Sequence, residues 1–144
     1  MKLKSQWAGL LILICVALAA FALDQWGRDR QPEHYTIHFR TGTEIEPAEN
    51  ALIEKIARQM VAQETREAII AGHTGPRGDS TANQALSKER AVHIKTLLVE
   101  KGVSPARIKT FGLGAASPLE INPDEGQRSY YQRLKRVEVT LKHI

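Results

Sequence analysis

The chemistry-bearing residues of this chain are concentrated between residues 71 and 91, which read Ala-Gly-His-Thr-Gly-Pro-Arg-Gly-Asp-Ser-Thr-Ala-Asn-Gln-Ala-Leu-Ser-Lys-Glu-Arg-Ala. An apolar strand, Ala68 to Ala71, ends on Gly72. A polar loop holding Gly72, Gly75 and Gly78 then delivers His73, Thr74, Arg77 and Asp79 to one place. The loop feeds a helix in which Leu86, Ile94 and Leu97 or Leu98 fall at helical spacing and form a core-facing stripe. Arg90 lies in that stripe, four residues after Leu86 and four before Ile94. A cation there must be paired, reach out of the core, or hold an anionic ligand.

Other chemistries find no support. His73, Asp79 and Ser80 or Ser87 can be drawn as a hydrolytic triad, but there is no Gly-x-Ser-x-Gly elbow and Ser87 falls within the helix. The loop glycines fit neither Gly-x-Gly-x-x-Gly nor a P-loop, and tight turns explain them. The five histidines include no His-Glu-x-x-His pair, and the only cysteine, Cys15, sits in an apolar leader. The sequence therefore predicts no enzyme, metal site, cofactor or disulfide. Net charge is +4, but Lys2 and Lys4 precede the leader, and without them 18 basic residues face 16 acidic ones. With no long Lys/Arg run, nucleic acid is not an expected partner.

The elements that must position the loop follow from patterning. Residues 7–23, Trp7 to Leu23, carry no charge. They read either as a signal peptide cleaved after Ala22 or as an uncleaved anchor. As a helix the run spans about 25 Å, short of the ~30 Å hydrocarbon core but tolerable with snorkelling flanks. Trp7 and Trp26 bracket it like interfacial anchors, and we take the membrane anchor as the expected state, with everything after Leu23 exported. Residues 24–33 form a polar linker, and residues 34–144 a single domain. Within it Tyr35 to Phe39 is a strand, and Pro47 opens a helix with Leu52, Ile56 and Met60 on one face, Ile53 beside them. The long helix stops at Lys101-Gly102, and Ser104-Pro105 starts a further helical turn. Lys109 to Leu113 is a third strand, residues 118–126 a loop, and Arg136 to Leu141 an alternating last strand. The order β-α-β-α-β-β implies a small α/β domain (an α+β sandwich), a mixed sheet with helices on one face.

Gly72-His-Thr74, Asn83-Gln-Ala-Leu-Ser-Lys-Glu-Arg90-Ala91, Gly102-Val103, Arg107-Ile108, Gly112-x-Gly114, Pro118 and Arg136-Val-Glu-Val139, in this order, resemble the OmpA-like peptidoglycan-binding domain. The resemblance covers about residues 34 to 142. It implies non-covalent binding of the peptidoglycan peptide stem through diaminopimelate, and so a tether between an envelope membrane and the cell wall. It also implies the ligand-contacting set Arg90, Thr74, His73, Asn83 and the residue at position 75. The family pattern is Gly-His-Thr-Asp, its aspartate taking the ligand ammonium and its arginine, matched by Arg90, the carboxylate. A fixed guanidinium opposite a carboxylate suits a zwitterionic amino-acid end. Here Gly75 replaces the aspartate, which leaves Asp79 either as a substitute carboxylate or as a helix N-cap. Arg128 or Arg133 takes the place of an arginine in the family's closing segment, and the Tyr130-Tyr131 pair packs on the sheet or stacks on a ligand. A second expectation is a periplasmic scaffold module whose ligand binding is weakened by Gly75, working with an envelope protein partner or as a homodimer. An ion-driven motor subunit, which also joins one membrane helix to this domain, needs a carboxylate within residues 7–23, and there is none.

Overall fold

The computed structural model describes residues 14–23, residue 27 and residues 31–144. Contacts divide the chain into Met1–Gln31 and Pro32–Ile144. In the first unit residues 14–23 are helical. The rest of the expected anchor, residues 7–13, lies outside the described residues. Among the described residues no helix is long and apolar enough to cross a membrane.

The second unit is built on a four-stranded sheet of spatial order β1-β4-β2-β3. The strands are β1 (Glu33–His38), β2 (Arg66–Gly72), β3 (Ile108–Gly112) and β4 (Arg136–His143). β4 runs antiparallel to both β1 and β2, with Ile37 opposite Val137 and Ile70 opposite Val139. β2 and β3 are parallel, so the connection between them must cross over, and it is helical. Alternation does the rest. Ala68 and Ile70 of β2 and Val137, Val139 and Leu141 of β4 turn one face into the core.

Two helices cover that face. Helix α1 (Asn50–Ala62), preceded by a 3₁₀ turn at Pro47–Glu49, buries Ile53, Ile56, Ala57 and Met60; Leu52 is only partly buried. Helix α2 (Ser80–Glu100) buries Ser87, Arg90, Ala91, Ile94 and Leu98. Its inward stripe therefore starts at Ser87 and not at Leu86, which is half-buried. The small residues explain the shift. A Cβ on Gly72 would lie 1.8 Å from the Ser87 carbonyl oxygen, and one on Gly112 would lie 2.7 Å from the Lys88 nitrogen. The helix backbone rests directly on these two glycines. Ser87 then uses its hydroxyl twice: Oγ donates to Gln84 O at 2.8 Å and accepts from the Gly114 N–H at 2.9 Å. Gly102, at φ +93°, ends α2, and the Val103 N–H returns to Leu98 O at 3.1 Å.

A third helix, α3 (Gln127–Leu134), replaces what patterning left without an element between the 118–126 loop and β4. It buries only Leu134, so an apolar stripe hardly shows in its sequence. The signals available were Gly126 before it, no Gly or Pro through 127–135, and Tyr131 three residues ahead of Leu134.

Two arginines tie the far end of the sheet. Arg66, buried in β2, pairs with Glu33 Oε1 at 2.6 Å, and the Tyr35 hydroxyl and Gln59 also donate to that carboxylate. The Tyr35 hydrogen bond first, then Arg66 and Gln59, hold the Glu33 pKa at about 2 against the opposing effect of burial. Arg107 points Nη1 at Met60 O (2.8 Å) and Gln63 O (3.1 Å), carbonyls at the end of α1, the second of which also accepts the Arg66 N–H. We expect Arg107→Ala to cost about 2 kcal/mol, the loss of charge-assisted hydrogen bonds to half-buried carbonyls. A thermal melt should show Tm lower by roughly 8 °C, and an unchanged Tm would remove Arg107 from this role.

Candidate functional site

The loop leaving β2 is fixed by backbone bonds before any side chain acts. The His73 N–H donates to Arg136 O at 2.9 Å, and the Thr74 N–H to Gly114 O at 2.8 Å. Asp79 caps α2, its Oδ1 accepting the Ala82 N–H at 2.8 Å. Asn83 donates from Nδ2 to Arg77 O at 3.0 Å, tying the loop to the first turn of the helix.

Arg90 is 2% exposed. Its Nε donates to Gly42 O at 2.7 Å and its Nη1 to His73 O at 2.9 Å, and its guanidinium lies 5.1 Å from the Phe39 ring centre. One arginine thus joins the turn after β1 to the exit of β2. Burial pushes its pKa down from the ordinary value, though a guanidinium stays protonated. Its Nη2 has no hydrogen-bond partner among the described residues, and Arg90 forms part of a cleft wall.

The cleft measures about 520 Å³, within the range of small-ligand sites. It is lined by Thr74, Gly75 and Arg77 of the loop, Asn83, Leu86 and Arg90 of α2, Gln127, Arg128, Tyr131 and Gln132 of α3, and Lys135. Of the residues anticipated from sequence, Arg90, Thr74, Gly75 and Asn83 come together here. Asp79 and His73 do not line it. Asp79 has the capping role, and its carboxylate is not part of the cleft wall. His73 is buried beside Arg136 and Glu138, with Nε2 3.6 Å from Glu138 Oε2 and neither ring nitrogen hydrogen-bonded. Its contribution to the wall is its carbonyl, which holds Arg90.

Arg128 and Arg133 differ in their surroundings. Arg133 is engaged by Glu125, Nε to Oε1 at 2.7 Å, while Arg128 lines the cleft. That pairing, ahead of smaller contributions, holds the Glu125 pKa at about 2. The tyrosine pair divides too: Tyr130 donates to Leu119 O at 3.0 Å, and Tyr131 forms cleft wall with the Arg77 guanidinium 4.0 Å from its ring centre. Patterning does not point to Gln127 and Gln132, because α3 buries too little for its periodicity to show; Tyr131, half of the anticipated tyrosine pair, is part of the wall.

Burial first, and then Arg136, lower the His73 pKa from the ordinary 6.5, against a smaller opposing pull from Glu138. The imidazole is therefore neutral in the folded domain. Above pH 6.5 the unfolded chain also carries it neutral, and no stability is lost. As pH falls through 6.5 the unfolded chain takes up the proton first, so the fold weakens. Urea midpoints of the wild type should drop between pH 7.5 and pH 5.5 more than those of His73→Gln. Parallel profiles would contradict a neutral buried His73.

A four-stranded mixed sheet, helices on one face and a buried guanidinium at the exit of β2 define a small α/β domain with a cleft. Residues 39–132 match the OmpA family, and the chain belongs to it. Outer membrane protein A of Bordetella avium is 33% identical over 97 residues, 67% of this chain and 48% of that protein. The outer-membrane lipoprotein YfiB of Pseudomonas aeruginosa is 32% identical over 90 residues, 62% of this chain and 54% of that protein. The chain spans about half the length of these relatives. Among solved structures, the peptidoglycan-associated lipoprotein from Burkholderia pseudomallei superposes with a TM-score of 0.66 at 24% identity, covering 74% of this chain and 89% of that one. The periplasmic domain of Helicobacter pylori MotB gives a TM-score of 0.62 at 21% identity, covering 78% and 77%. These structural likenesses establish the fold.

Proposed function

We propose that this chain is a binding module of the cell envelope that takes the peptide stem of peptidoglycan non-covalently and so holds a membrane to the cell wall. The observation that carries the reading is Arg90: buried, fixed by two backbone carbonyls, and in the wall of a cleft with its remaining nitrogen unpartnered among the described residues. A rigid guanidinium of this kind meets a carboxylate at low entropic cost. Diaminopimelate supplies the carboxylate, and Arg90 matches the family's arginine position for position. A relative supports the assignment: the Mycobacterium bovis protein named peptidoglycan-binding protein ArfA is 29% identical over 96 residues, 67% of this chain and 29% of that protein. Thr74, Gly75 and Asn83 complete the contact set, and Asp79 and His73 serve it by shaping the loop. The domain works in the periplasm, held by residues 7–23 in the inner membrane or released by cleavage after Ala22.

Retention of the chain on diaminopimelate-type peptidoglycan, with Arg90→Ala in parallel, tests the reading. Wild type should sediment with the polymer and the folded variant should stay in solution. If wild type stays in solution too, the tether reading fails. The second reading, a scaffold module that meets an envelope protein or its own copy, is favoured by Gly75, which removes the carboxylate expected to meet the ligand ammonium.

A further inference from the structure

Resting on the stem-binding reading, we infer that the cleft selects anionic peptide stems whose diaminopimelate side-chain amine is acylated, and disfavours stems in which it is a free ammonium. The charge in the cleft carries this. Its lining includes Arg77, Arg90, Arg128 and Lys135 and no carboxylate. None of the four is ion-paired among the described residues, whereas Arg66, Lys109, Arg133 and Arg136 outside the cleft each have a glutamate partner. The positive field is therefore left for a ligand to neutralise, and a cleft with low-dielectric walls concentrates it. The stem carries several carboxylates. Its free ammonium would enter a site of like charge with only neutral oxygens and no carboxylate to pair with it, and acylation removes that charge.

Sterics do not dictate the missing carboxylate. A Cβ on Gly75 would lie 3.5 Å from Tyr131 Cδ1 and 3.6 Å from Leu134 Cδ1, ordinary van der Waals contacts. The φ of Gly75 is not positive either. A side chain fits there, and this sequence leaves it out. The same wall holds a second unfilled valence. Thr74 is 5% exposed, and its Oγ1 is buried without a hydrogen-bond partner. Such a hydroxyl both accepts and donates, so an amide N–H or a carboxylate oxygen satisfies it equally. The selected form is the one in which a stem is joined through its amine to another group, so the domain would favour linked over unlinked stems.

The test uses two soluble stem tripeptides that differ only in whether the diaminopimelate amine is free or acetylated. Each is titrated calorimetrically into the 144-residue chain and into Gly75→Asp. Wild type should bind the acetylated peptide at least tenfold more tightly, and Gly75→Asp should abolish or reverse that preference. Equal or tighter binding of the free amine by wild type overturns the inference and leaves the stem-binding reading standing. A preference unchanged in Gly75→Asp also overturns it. If wild type binds neither peptide, the stem-binding reading falls and takes the inference with it.

Discussion

Gly72→Ala should be strongly destabilising, by about 3 kcal/mol or more, with a Tm lowered by roughly 12 °C or more. A methyl there would sit 1.8 Å from the Ser87 carbonyl oxygen and 2.8 Å from its carbon, both backbone atoms in the middle of a 21-residue helix. No rotamer change relieves that contact. Either α2 lifts from the sheet, exposing Ala91, Ile94 and Leu98, or β2 bends away from β4. Overpacking a core commonly costs 1–3 kcal/mol, and a clash between two backbones belongs at or beyond about 3 kcal/mol. Far-UV dichroism and a thermal melt read the result. Gly75→Ala, three residues on, is the control: its methyl meets Tyr131 and Leu134 at ordinary contact distance, so stability should change by no more than about 0.5 kcal/mol. If both variants melt like wild type, the close packing of α2 on Gly72 is wrong.

Arg90→Ala should lose peptidoglycan retention and also lower stability, because the same guanidinium does two jobs. Truncation leaves the Gly42 and His73 carbonyls without their donor and opens a void beside Phe39. An orphaned buried acceptor costs about 1–3 kcal/mol, so about 3 kcal/mol for the variant is reasonable. The binding loss, at least a hundredfold, must then be measured on folded protein, below the lowered Tm. Arg90→Lys separates the jobs in part. A lysine keeps the charge and one backbone bond but cannot span Gly42, His73 and a carboxylate at once. It should recover some stability while binding remains weak. Folded Arg90→Ala retained on the polymer as well as wild type would remove Arg90 from the site.

Arg90 was legible in the sequence because a cation at helical spacing among Ile94 and Leu98 conflicts with its surroundings, and a conflict of that kind marks function. The strands were legible for the opposite reason: in β4 alternation and burial agree. What could not be read from pattern was anything decided by close approach. Leu86 has the same spacing as a core residue, yet it lines the cleft, because Gly72 and Gly112 draw the helix backbone down at Ser87, which takes the inward place in that turn. Helix α3 buries a single leucine, so its periodicity carries almost no signal, and with it went Gln127 and Gln132. Asp79 could be weighed but not decided from sequence, since capping and ligation ask for the same side chain; a 2.8 Å bond to the Ala82 N–H decides it.

Strand order carries a consequence for biogenesis. β4 comes last of the four strands but stands second in the sheet, among the described residues the sole partner strand of β1 and one of two partners of β2. Until Arg136–His143 has emerged, β1 has nothing to pair with, and β2 and β3 make only a parallel pair with one open side. Joining residues about a hundred positions apart is entropically expensive and slow. A chain threaded N-terminus first through a translocation pore would therefore stay extended until almost all of it had passed. The topology itself delays compaction until β4 is available to bridge β1 and β2.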